Sequence, residues 1–359
     1  MTYAIAAAGT GGHVFPALAI AEALERTGVE RTDIVFFGGD RFESEAVPAA
    51  GYDFVRLELR GLKRSFTPSN LGIPGVVLNA RRTIGEELVR RQVGALVATG
   101  GYVTVPAAWA AQRASVPYFV QEQNAHAGLA NRLMSRKAVA AFTSFPVTEG
   151  LSRGVYCGNP LRTAFVDFDR QALRAGALVH YGLEPDLPVL GVVGGSLGAG
   201  ALNAAVHSMV LGWAGPPIQI IHLTGELHVE AVSQLTNPRE VPWKVVAFET
   251  SMELFFAAAD LLLARAGGMV AEITATGTPA ILVPGEFGSK GHQLATARFV
   301  EAAGGAVVIE QANIDAVPDE VERIIGDPQL LAEMSSRSRG LGRPRAADEI
   351  ANRMVSVHG

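Results

Sequence analysis

The residues with the clearest chemical potential in this sequence are a glycine-rich turn near its beginning and the histidine that follows. Gly9, Thr10, Gly11 and Gly12 come before His13, between the predicted strand YAIAAA and the predicted helix PALAIAEALERTG. Glycines let the backbone approach a phosphate or a sugar, and N–H groups at a helix N-terminus attract anions. The helix dipole disfavours a protonated imidazole there, so His13 is either a neutral base or a residue that merely caps the turn.

Three segments in the second half of the sequence also place polar groups after a predicted strand. Residues 192–200, VVGGSLGAG, contain Ser196, which could offer a hydroxyl and an N–H to a pyrophosphate. The segment DLLLARAGGMVAE contains Glu272, whose carboxylate could accept two hydrogen bonds from a ribose diol. The loop GEFGSKGHQ ends in His292 and Gln293, which can contact sugar hydroxyls. Taken singly, each is also compatible with a tight turn or a solvated helix residue.

Two other chemistries fit the residue spacing less well. A dinucleotide-binding turn needs a third glycine where this sequence has Val14, although Asp40 ends the next predicted strand, as a ribose-binding acid would. Asp167 and Asp169 have the D-x-D spacing of a metal-bound sugar-nucleotide site, but Asp169 is well placed to cap the helix that follows. We therefore predict neither a nicotinamide cofactor nor an obligatory metal.

The elements that must position these residues alternate between short apolar strands and longer helical patterns. The alternation restarts near residue 187, which predicts an α/β chain with two Rossmann-like domains of parallel strands, residues 1–163 and 164–339. Pro16 is expected near the start of the first helix. The last helical stretch, from Pro328 to about Val357, could cap the second domain or cross back to the first, and we expect residues 340–357 to join the first.

Composition limits the classes of partner. The 359 residues are 48% hydrophobic and 18% charged, enough for two well-packed cores, and a net charge of −5 gives no reason to expect nucleic acid. The single cysteine, Cys157, cannot form an internal disulfide. No export signal and no apolar run long enough to span a bilayer are recognised, so a cytoplasmic location is expected.

Residues 56–82 interleave basic and apolar side chains. The segment RLELRGLKRSFTPSNLGIPGVVLNARR is compatible either with a solvated loop leading into a core-facing helix or with a surface that binds an anionic membrane. The membrane surface is kept as a hypothesis.

Taken in order, the motifs resemble those of the MurG family. The matching segments span nearly the whole chain: GTGGHVFPALAIAEAL, GGYVTVPA, EQNAHAGLANR, GNPLR, GGSLGAGALN, RAGGMVAE and the HQ that follows PAILVP. The resemblance implies a GT-B fold, in which two Rossmann-like domains face each other across a cleft. It also implies an inverting transferase of peptidoglycan synthesis that moves GlcNAc from UDP-GlcNAc to undecaprenyl-pyrophosphoryl-MurNAc-pentapeptide, forming a β-1,4 bond at the cytoplasmic face of the membrane.

The resemblance also implies roles for individual residues. His13 becomes the candidate base for the C4 hydroxyl of the acceptor, or a positioning group. Glu272 would hold the ribose, and Ser196 would meet the pyrophosphate. The remaining expected substrate contacts are Thr10, Gly11, Gly12, Asn124, Arg162, Glu249, Gly268, Met269, His292 and Gln293. The first domain would face the acceptor and the membrane, and the second would bind UDP-GlcNAc without an obligatory metal. Nothing in the sequence specifies an oligomeric state.

Four positions on the donor side depart from the family pattern. The threonine usual between the residues matching Met269 and Val270 is absent, which would turn Glu272 by about 100° around a helix or tighten the turn before it. The other three are Gly291 in place of an acid, Thr296 in place of Asn and Leu223 in place of Gln. These changes leave open an altered donor or lipid acceptor. A UDP-GlcNAc 2-epimerase, which needs no lipid acceptor, is the competing class.

Overall fold

Two separate parallel sheets organise the chain. The computed structural model describes residues 1–59, 73–195, 198–285 and 291–357. The chain divides into two units: unit 1 comprises Met1–Val166 together with the chain from Pro344 onward, and unit 2 comprises Asp167–Arg343. Both units alternate strands with helices, so the prediction of an α/β chain with two Rossmann-like domains is confirmed.

The sheet of unit 1 has the strand order β3-β2-β1-β4-β5-β6-β7, and its paired strands are parallel. Its strands are β1 (Thr2–Ala6), β2 (Ile34–Gly38), β3 (Asp53–Arg56), β4 (Val93–Ala98), β5 (Tyr118–Glu122), β6 (Ala141–Thr143) and β7 (Gly154–Tyr156). The helices described in this unit are α1 (Gly11–Arg26), α2 (Glu43–Ala49), α3 (Ile73–Arg90), α4 (Thr104–Arg113), α5 (Leu129–Met134) and, at the end of the chain, α14 (Ala346–Ser356).

Helices cover both faces of this sheet, which explains why its strands are almost wholly apolar. Helices α1 and α14 pack on one face, and α3 and α4 pack on the other. The guanidinium of Arg26 on α1 donates two hydrogen bonds to Asp348 on α14, at 2.9 and 2.5 Å. Glu22 of α1 accepts hydrogen bonds from the N–H and the hydroxyl of Thr163, at 2.8 and 2.7 Å. The end of the chain is therefore an integral part of unit 1.

The sheet of unit 2 has the order β10-β9-β8-β11-β12-β13, and its paired strands are again parallel. Its strands are β8 (Val189–Val193), β9 (Gln219–Leu223), β10 (Trp243–Val246), β11 (Leu261–Ala264), β12 (Ala280–Leu282) and β13 (Ala306–Val308). The helices described in this unit are α6 (Arg170–Tyr181), α7 (Gly200–Gly212), α8 (Val229–Ser233), α9 (Met252–Ala258), α10 (Val270–Thr276), α11 (His292–Ala302), α12 (Val317–Ile325) and α13 (Pro328–Gly340).

One carboxylate fastens the beginning of unit 2 to its sheet. Asp260, between α9 and β11, accepts hydrogen bonds from Arg170 at 2.6 Å, Arg174 at 2.8 Å and the N–H of Val189 at 2.9 Å. Both guanidiniums also donate to carbonyls at the C-terminus of α9, where the helix dipole favours positive charge. At the start of α6, Asp169 accepts from two backbone N–H groups, as its capping role predicted.

The beginning of α1 differs from the sequence prediction. The helix starts at Gly11, after Thr10 in extended conformation, so Pro16 lies inside it rather than at its first turn. Proline has no N–H, and the carbonyl of Gly12 consequently lacks its usual partner four residues on. No described helix is long and apolar enough to cross a bilayer.

We predict that Asp260→Ala destabilises unit 2 by about 3 kcal/mol, because it leaves two partly buried guanidiniums without their carboxylate. Urea unfolding followed by the fluorescence of Trp213 and Trp243 in a Trp109→Phe background reports on this unit. Glu310→Ala is the matched control, since it removes only an exposed partner of Arg298 and should change the unfolding free energy by less than about 0.5 kcal/mol. Equal effects of the two substitutions would contradict this account.

Candidate active site

Strand order determines where a site can form in each unit. The chain leaves β1 toward β2 on one side, and β4 lies on the other side of β1. In unit 2, β8 lies between β9 and β11 in the same way. In parallel sheets, ligands bind beyond the carboxyl ends of the strands at such a switch point. The two glycine-rich turns singled out in the sequence follow β1 and β8, the strands at these switch points.

The first turn needs glycine for conformational reasons. Gly9 has a φ of +118°, which a side chain rarely adopts. Gly100, after β4, has a φ of +114°, and a Cβ there would lie 2.6 Å from Nδ1 of His13. Glycine at position 100 is therefore what allows the imidazole to lie against the backbone of the neighbouring strand.

The hydrogen bonds of His13 identify its tautomer. Its Nδ1 lies 3.1 Å from the carbonyl oxygen of Thr99 and 3.1 Å from Oε1 of Gln123. A carbonyl oxygen can only accept, so Nδ1 carries the proton, and in the neutral ring the lone pair is on Nε2. The hydroxyl of Thr99 donates to the carbonyl oxygen of His13 at 2.9 Å, which fixes the backbone as well as the ring. A neutral imidazole held in this way can accept a proton at Nε2.

Gln123 is oriented by its own contacts. Its Nε2 donates to the carbonyl of Thr99 at 2.5 Å and to Oε1 of Gln121. These acceptors place the amide oxygen toward His13. Thr99 and Gln123 were not assigned a role from the sequence. The sequence signal that could have identified them is their position in the motifs, because Thr99 directly precedes GGY and Gln123 is the middle residue of EQN.

Asn124 is held by a buried carboxylate. Glu122, at the end of β5, is 2% exposed and accepts from the N–H of Asn124 at 3.0 Å and from its Nδ2 at 2.9 Å. The same carboxylate accepts from the N–H of Gly128 and from Nδ2 of Asn131. Glu122 therefore fixes the loop that carries Asn124, next to the residue that contacts His13.

Arg162, the other predicted contact in this unit, immediately precedes a short 3-10 turn, Thr163–Phe165. Its guanidinium lies 6.0 Å from the centre of the Phe165 ring. The structure thus places Arg162 at the start of this turn, while the hydrogen bonds around His13 and Glu122 involve Gln123 and Asn124.

The second glycine-rich turn is equally constrained. A Cβ at Gly194 would lie 2.5 Å from the backbone nitrogen of Ala199, and one at Gly198 would lie 2.0 Å from the carbonyl oxygen of Thr224. The turn leads into α7 at Gly200. Ser196, the predicted pyrophosphate contact, lies outside the described residues. A tight turn that requires glycine is compatible with the predicted phosphate-binding role of residues 192–200.

The glutamate motif forms a turn followed by a short helix. Gly268 is exposed, Met269 directly precedes α10, and Glu272 is half-buried in the first turn of that helix. The chain therefore passes from β11 to α10 through residues 265–269, and Glu272 lies in the first turn of the helix.

The carboxylate of Glu249 is engaged by its own unit. It accepts from the hydroxyl of Tyr181 at 2.8 Å and the N–H of Ser251 at 2.8 Å, and Nε2 of His180 lies 3.2 Å away. Burial by itself would raise the pKa of Glu249, but these hydrogen bonds together hold the pKa below its usual value. The side chain thus ties α6 to the loop before α9.

The predicted pair His292 and Gln293 begins α11. Oε1 of Gln293 accepts from the N–H of Gly285 at 2.7 Å, which closes the base of the preceding loop. Contact of Gln293 with a sugar hydroxyl stays a prediction. His292 is half-buried beside it.

Three departures from the family pattern have local structural explanations. Gly291 has a φ of +78°, a conformation that favours glycine over an acid. Leu223 and Thr296 are buried, with 5% and 7% of their surface exposed. Their side chains belong to the interior of unit 2.

With this geometry established, comparisons with known proteins identify the class. Residues 3–143 match the glycosyltransferase family 28 N-terminal domain, and residues 189–350 match the family 28 C-terminal domain. The fold and the two matched domains define a family 28 glycosyltransferase. Structures of lower identity share the fold, among them the UDP-GlcNAc 2-epimerase of Neisseria meningitidis bound to UDP-GlcNAc, with a TM-score of 0.67 at 11% identity over 99% of this chain and 100% of that one. That likeness concerns the fold alone.

Closer relatives narrow the assignment. The curated UDP-N-acetylglucosamine--N-acetylmuramyl-(pentapeptide) pyrophosphoryl-undecaprenol N-acetylglucosamine transferase of Thermobifida fusca is 36% identical, over 99% of this chain and 94% of its own length. Its counterpart in Streptomyces avermitilis is 38% identical, over 99% and 98%. The crystal structure of Acinetobacter baumannii MurG matches with a TM-score of 0.79 at 28% identity, over 99% of both chains. This chain belongs to the MurG family.

A buried histidine makes the stability of unit 2 depend on pH. His222 is fully buried, its Nε2 lies 3.0 Å from Oδ1 of Asn203, and its Nδ1 has no hydrogen-bond partner. Burial lowers the pKa of His222 to about 4. In the unfolded chain the pKa of a histidine is ~6.5, so below that pH the unfolded state takes up a proton while His222 in the folded unit stays neutral. The contribution to the stability of unit 2 is therefore complete above about pH 6.5 and falls between pH 6.5 and 4.

We predict that the wild type loses about 2 kcal/mol of unfolding free energy between pH 7 and pH 5 because of His222, and that His222→Gln, which keeps a donor for Asn203, does not show this loss. Urea unfolding at each pH measures the difference. His207→Gln removes the other imidazole stacked on Trp243 and controls for changes in tryptophan fluorescence. An unchanged pH dependence in His222→Gln would show that this histidine is not responsible.

Proposed function

We propose that this chain transfers N-acetylglucosamine from UDP-GlcNAc to the C4 hydroxyl of MurNAc in undecaprenyl-pyrophosphoryl-MurNAc-pentapeptide. The curated relatives carry this activity in their names and align over nearly the whole chain. The observation that carries the proposal in the structure is His13, whose Nδ1–H is held by the Thr99 carbonyl beside the first glycine-rich turn. This arrangement supports a group that receives one proton at Nε2.

In the proposed reaction, Nε2 of His13 takes the proton of the C4 hydroxyl as its oxygen attacks the anomeric carbon of GlcNAc. The bond from that carbon to the UDP oxygen breaks, UDP leaves with the electron pair, and the configuration inverts. The imidazolium that forms keeps its Nδ1–H bond to Thr99, which stabilises the positive charge. A positioning role for His13, holding the hydroxyl without accepting its proton, would use the same geometry.

We assign the acceptor to unit 1 and the donor mainly to unit 2. Thr10, Gly11 and Gly12 at the start of α1 would line the acceptor side of the site, and Asn124 would contact the donor or its phosphates. The N-termini of α7 and α11 would face the negative charge that develops on UDP. The donor contacts we propose are Arg162, Ser196, the backbone of Glu249, Gly268, Met269, Glu272, His292 and Gln293.

The proposed chemistry needs no obligatory metal. The leaving group can be stabilised by helix N-termini and by Arg162 and Ser196. Within the described ranges, no group of three or more His, Cys, Asp or Glu side chains could hold a metal ion. Metal independence stays a prediction, which activity in the presence of EDTA would test.

We further propose that unit 1 binds the cytoplasmic face of the membrane, where its lipid acceptor is found. Much of the basic and apolar stretch named in the sequence, residues 60–72, lies outside the described residues. Two described helices of unit 1, α4 and α5, also expose apolar side chains, with basic side chains in and just after α5. Leu129 and Leu133, one turn apart on α5, are 68% and 46% exposed, and Trp109 on the adjacent α4 is 41% exposed. The exposed basic residues beside them are Arg132, Arg136 and Lys137.

These side chains suit a surface that buries apolar groups among lipid headgroups while its cations meet anionic lipid. We call Trp109, Leu129 and Leu133 the apolar face of α4 and α5. Exposed leucines on a short helix need not be functional in isolation. Their support here comes from the three flanking cations and from the lipid-linked acceptor named in the relatives.

We predict that purified wild-type protein, given UDP-GlcNAc and a short-chain lipid I analogue, releases UDP and forms the lipid-linked disaccharide, and that His13→Ala lowers kcat by about 10²- to 10⁴-fold, the usual contribution of a general base. His207→Gln, a histidine of unit 2 outside the proposed site, is the control and should retain activity. Absence of UDP release by the wild type with this acceptor would refute the transferase assignment.

We predict that Leu129→Ser with Leu133→Ser weakens binding to anionic vesicles by about tenfold, since two exposed leucines no longer enter the lipid. Cosedimentation with phosphatidylglycerol vesicles measures it. Val179→Ser is the matched control, because Val179 is 81% exposed but lies on α6 of unit 2. Equal binding by the double variant and the wild type would locate the membrane contact elsewhere.

A further inference from the structure

Glu43 is a buried carboxylate that none of the steps above uses. It lies at the first position of α2 and is fully buried. Its Oε2 accepts from the N–H of Gly9 at 3.0 Å, and its Oε1 accepts from the N–H of Gly39 at 2.9 Å. The hydroxyl of Tyr102 lies 3.5 Å from Oε1. Burying a charged group is unfavourable unless hydrogen bonds replace its water, and here neutral donors do so.

These donors lie in the loops that follow three different strands. Gly9 follows β1, Gly39 follows β2 and Tyr102 follows β4, which are neighbours in the order β2-β1-β4. The backbone is shaped around the acid, since a Cβ at Gly38 would lie 2.8 Å from Cγ of Glu43 and one at Gly39 would lie 3.1 Å from its Oε1. One side chain thus connects the carboxyl ends of three neighbouring strands, where the first glycine-rich turn begins.

We infer that Glu43 is a positioning residue for the transfer reaction, an inference that rests on the proposed function. The route is short. Glu43 holds the N–H of Gly9, Gly9 starts the turn, and four residues later His13 is hydrogen-bonded to Thr99 through both its ring and its carbonyl oxygen. Glu43 fixes one end of this segment and Thr99 fixes the other, so the direction of Nε2 depends on both.

The carboxylate is required because two backbone donors approach two different oxygens. Glutamine has the same shape but only one acceptor oxygen, so its NH₂ group would face one of the two N–H groups. The turn at Gly9 or the turn at Gly39 would then have to move away. A displacement near 1 Å of a catalytic group can lower a rate by about 10²-fold.

The test compares Glu43→Gln with Glu45→Gln, the same substitution two residues on in the same helix, at an exposed side chain. In Glu43→Gln we expect kcat for the lipid I analogue to fall ten- to hundredfold, while KM for UDP-GlcNAc and the stoichiometry of UDP binding stay within twofold of wild type. Hydrogen exchange of the peptide containing Gly9 should become faster. Glu45→Gln should match wild type in every measurement.

Two results would overturn the inference: an unchanged kcat in Glu43→Gln, or a fall in kcat matched by an equal loss of UDP-binding stoichiometry, which would mean general damage to the fold. If Glu43→Gln is insoluble, Glu43→Asp takes its place. It keeps both oxygens but withdraws them by about one C–C bond, ~1.5 Å, and should show the same split between kcat and KM. A wild type without transferase activity would refute the proposed function instead, a result distinguishable from both.

Discussion

The hydrogen bond between Nδ1 of His13 and the carbonyl oxygen of Thr99 is the interaction on which the chemistry of unit 1 depends. It decides which ring nitrogen has a lone pair, and it requires the end of β4 to lie directly beside the beginning of α1. A parallel sheet supplies that adjacency, because the carboxyl ends of neighbouring strands lie at one edge. The close approach in turn requires a backbone without a side chain at Gly100.

Two buried carboxylates surround this interaction and act on the backbone instead of on a cation. Glu43 accepts from turns that follow β1 and β2, and Glu122 accepts from the loop that follows β5. Loops at the edge of a sheet have few internal hydrogen bonds, and a carboxylate with several acceptor sites can satisfy two or more N–H groups at once. Glu43 and Glu122 therefore hold loops of unit 1 together where regular secondary structure is absent. In unit 2, Glu249 accepts from the N–H of Ser251 and Asp260 from that of Val189, but Asp260 is also paired with Arg170 and Arg174.

The departures from the family pattern illustrate how tertiary context changes the meaning of a substitution. Glycine at position 291 satisfies a positive φ, and Leu223 is part of the interior. A residue expected to touch the donor can therefore be explained by what it does for the fold. Glu249 is an intermediate case, since the family resemblance assigned it to the substrate while its carboxylate joins two elements of unit 2.

The sequence by itself determined the fold class, the glycine-rich turns and the family, because hydrophobic periodicity and motif order are local properties that can be read without coordinates. It also identified Asp169 as a helix cap from spacing alone. It placed Pro16 too close to the helix start, since the first helical residue depends on the conformation of Thr10. Only the tertiary structure revealed Thr99, Gln123 and Glu43 as neighbours of the turn that leads to His13. Their contacts span 34 to 110 residues of sequence. No local pattern encodes such distances, because strand order in the folded sheet decides which loop ends meet.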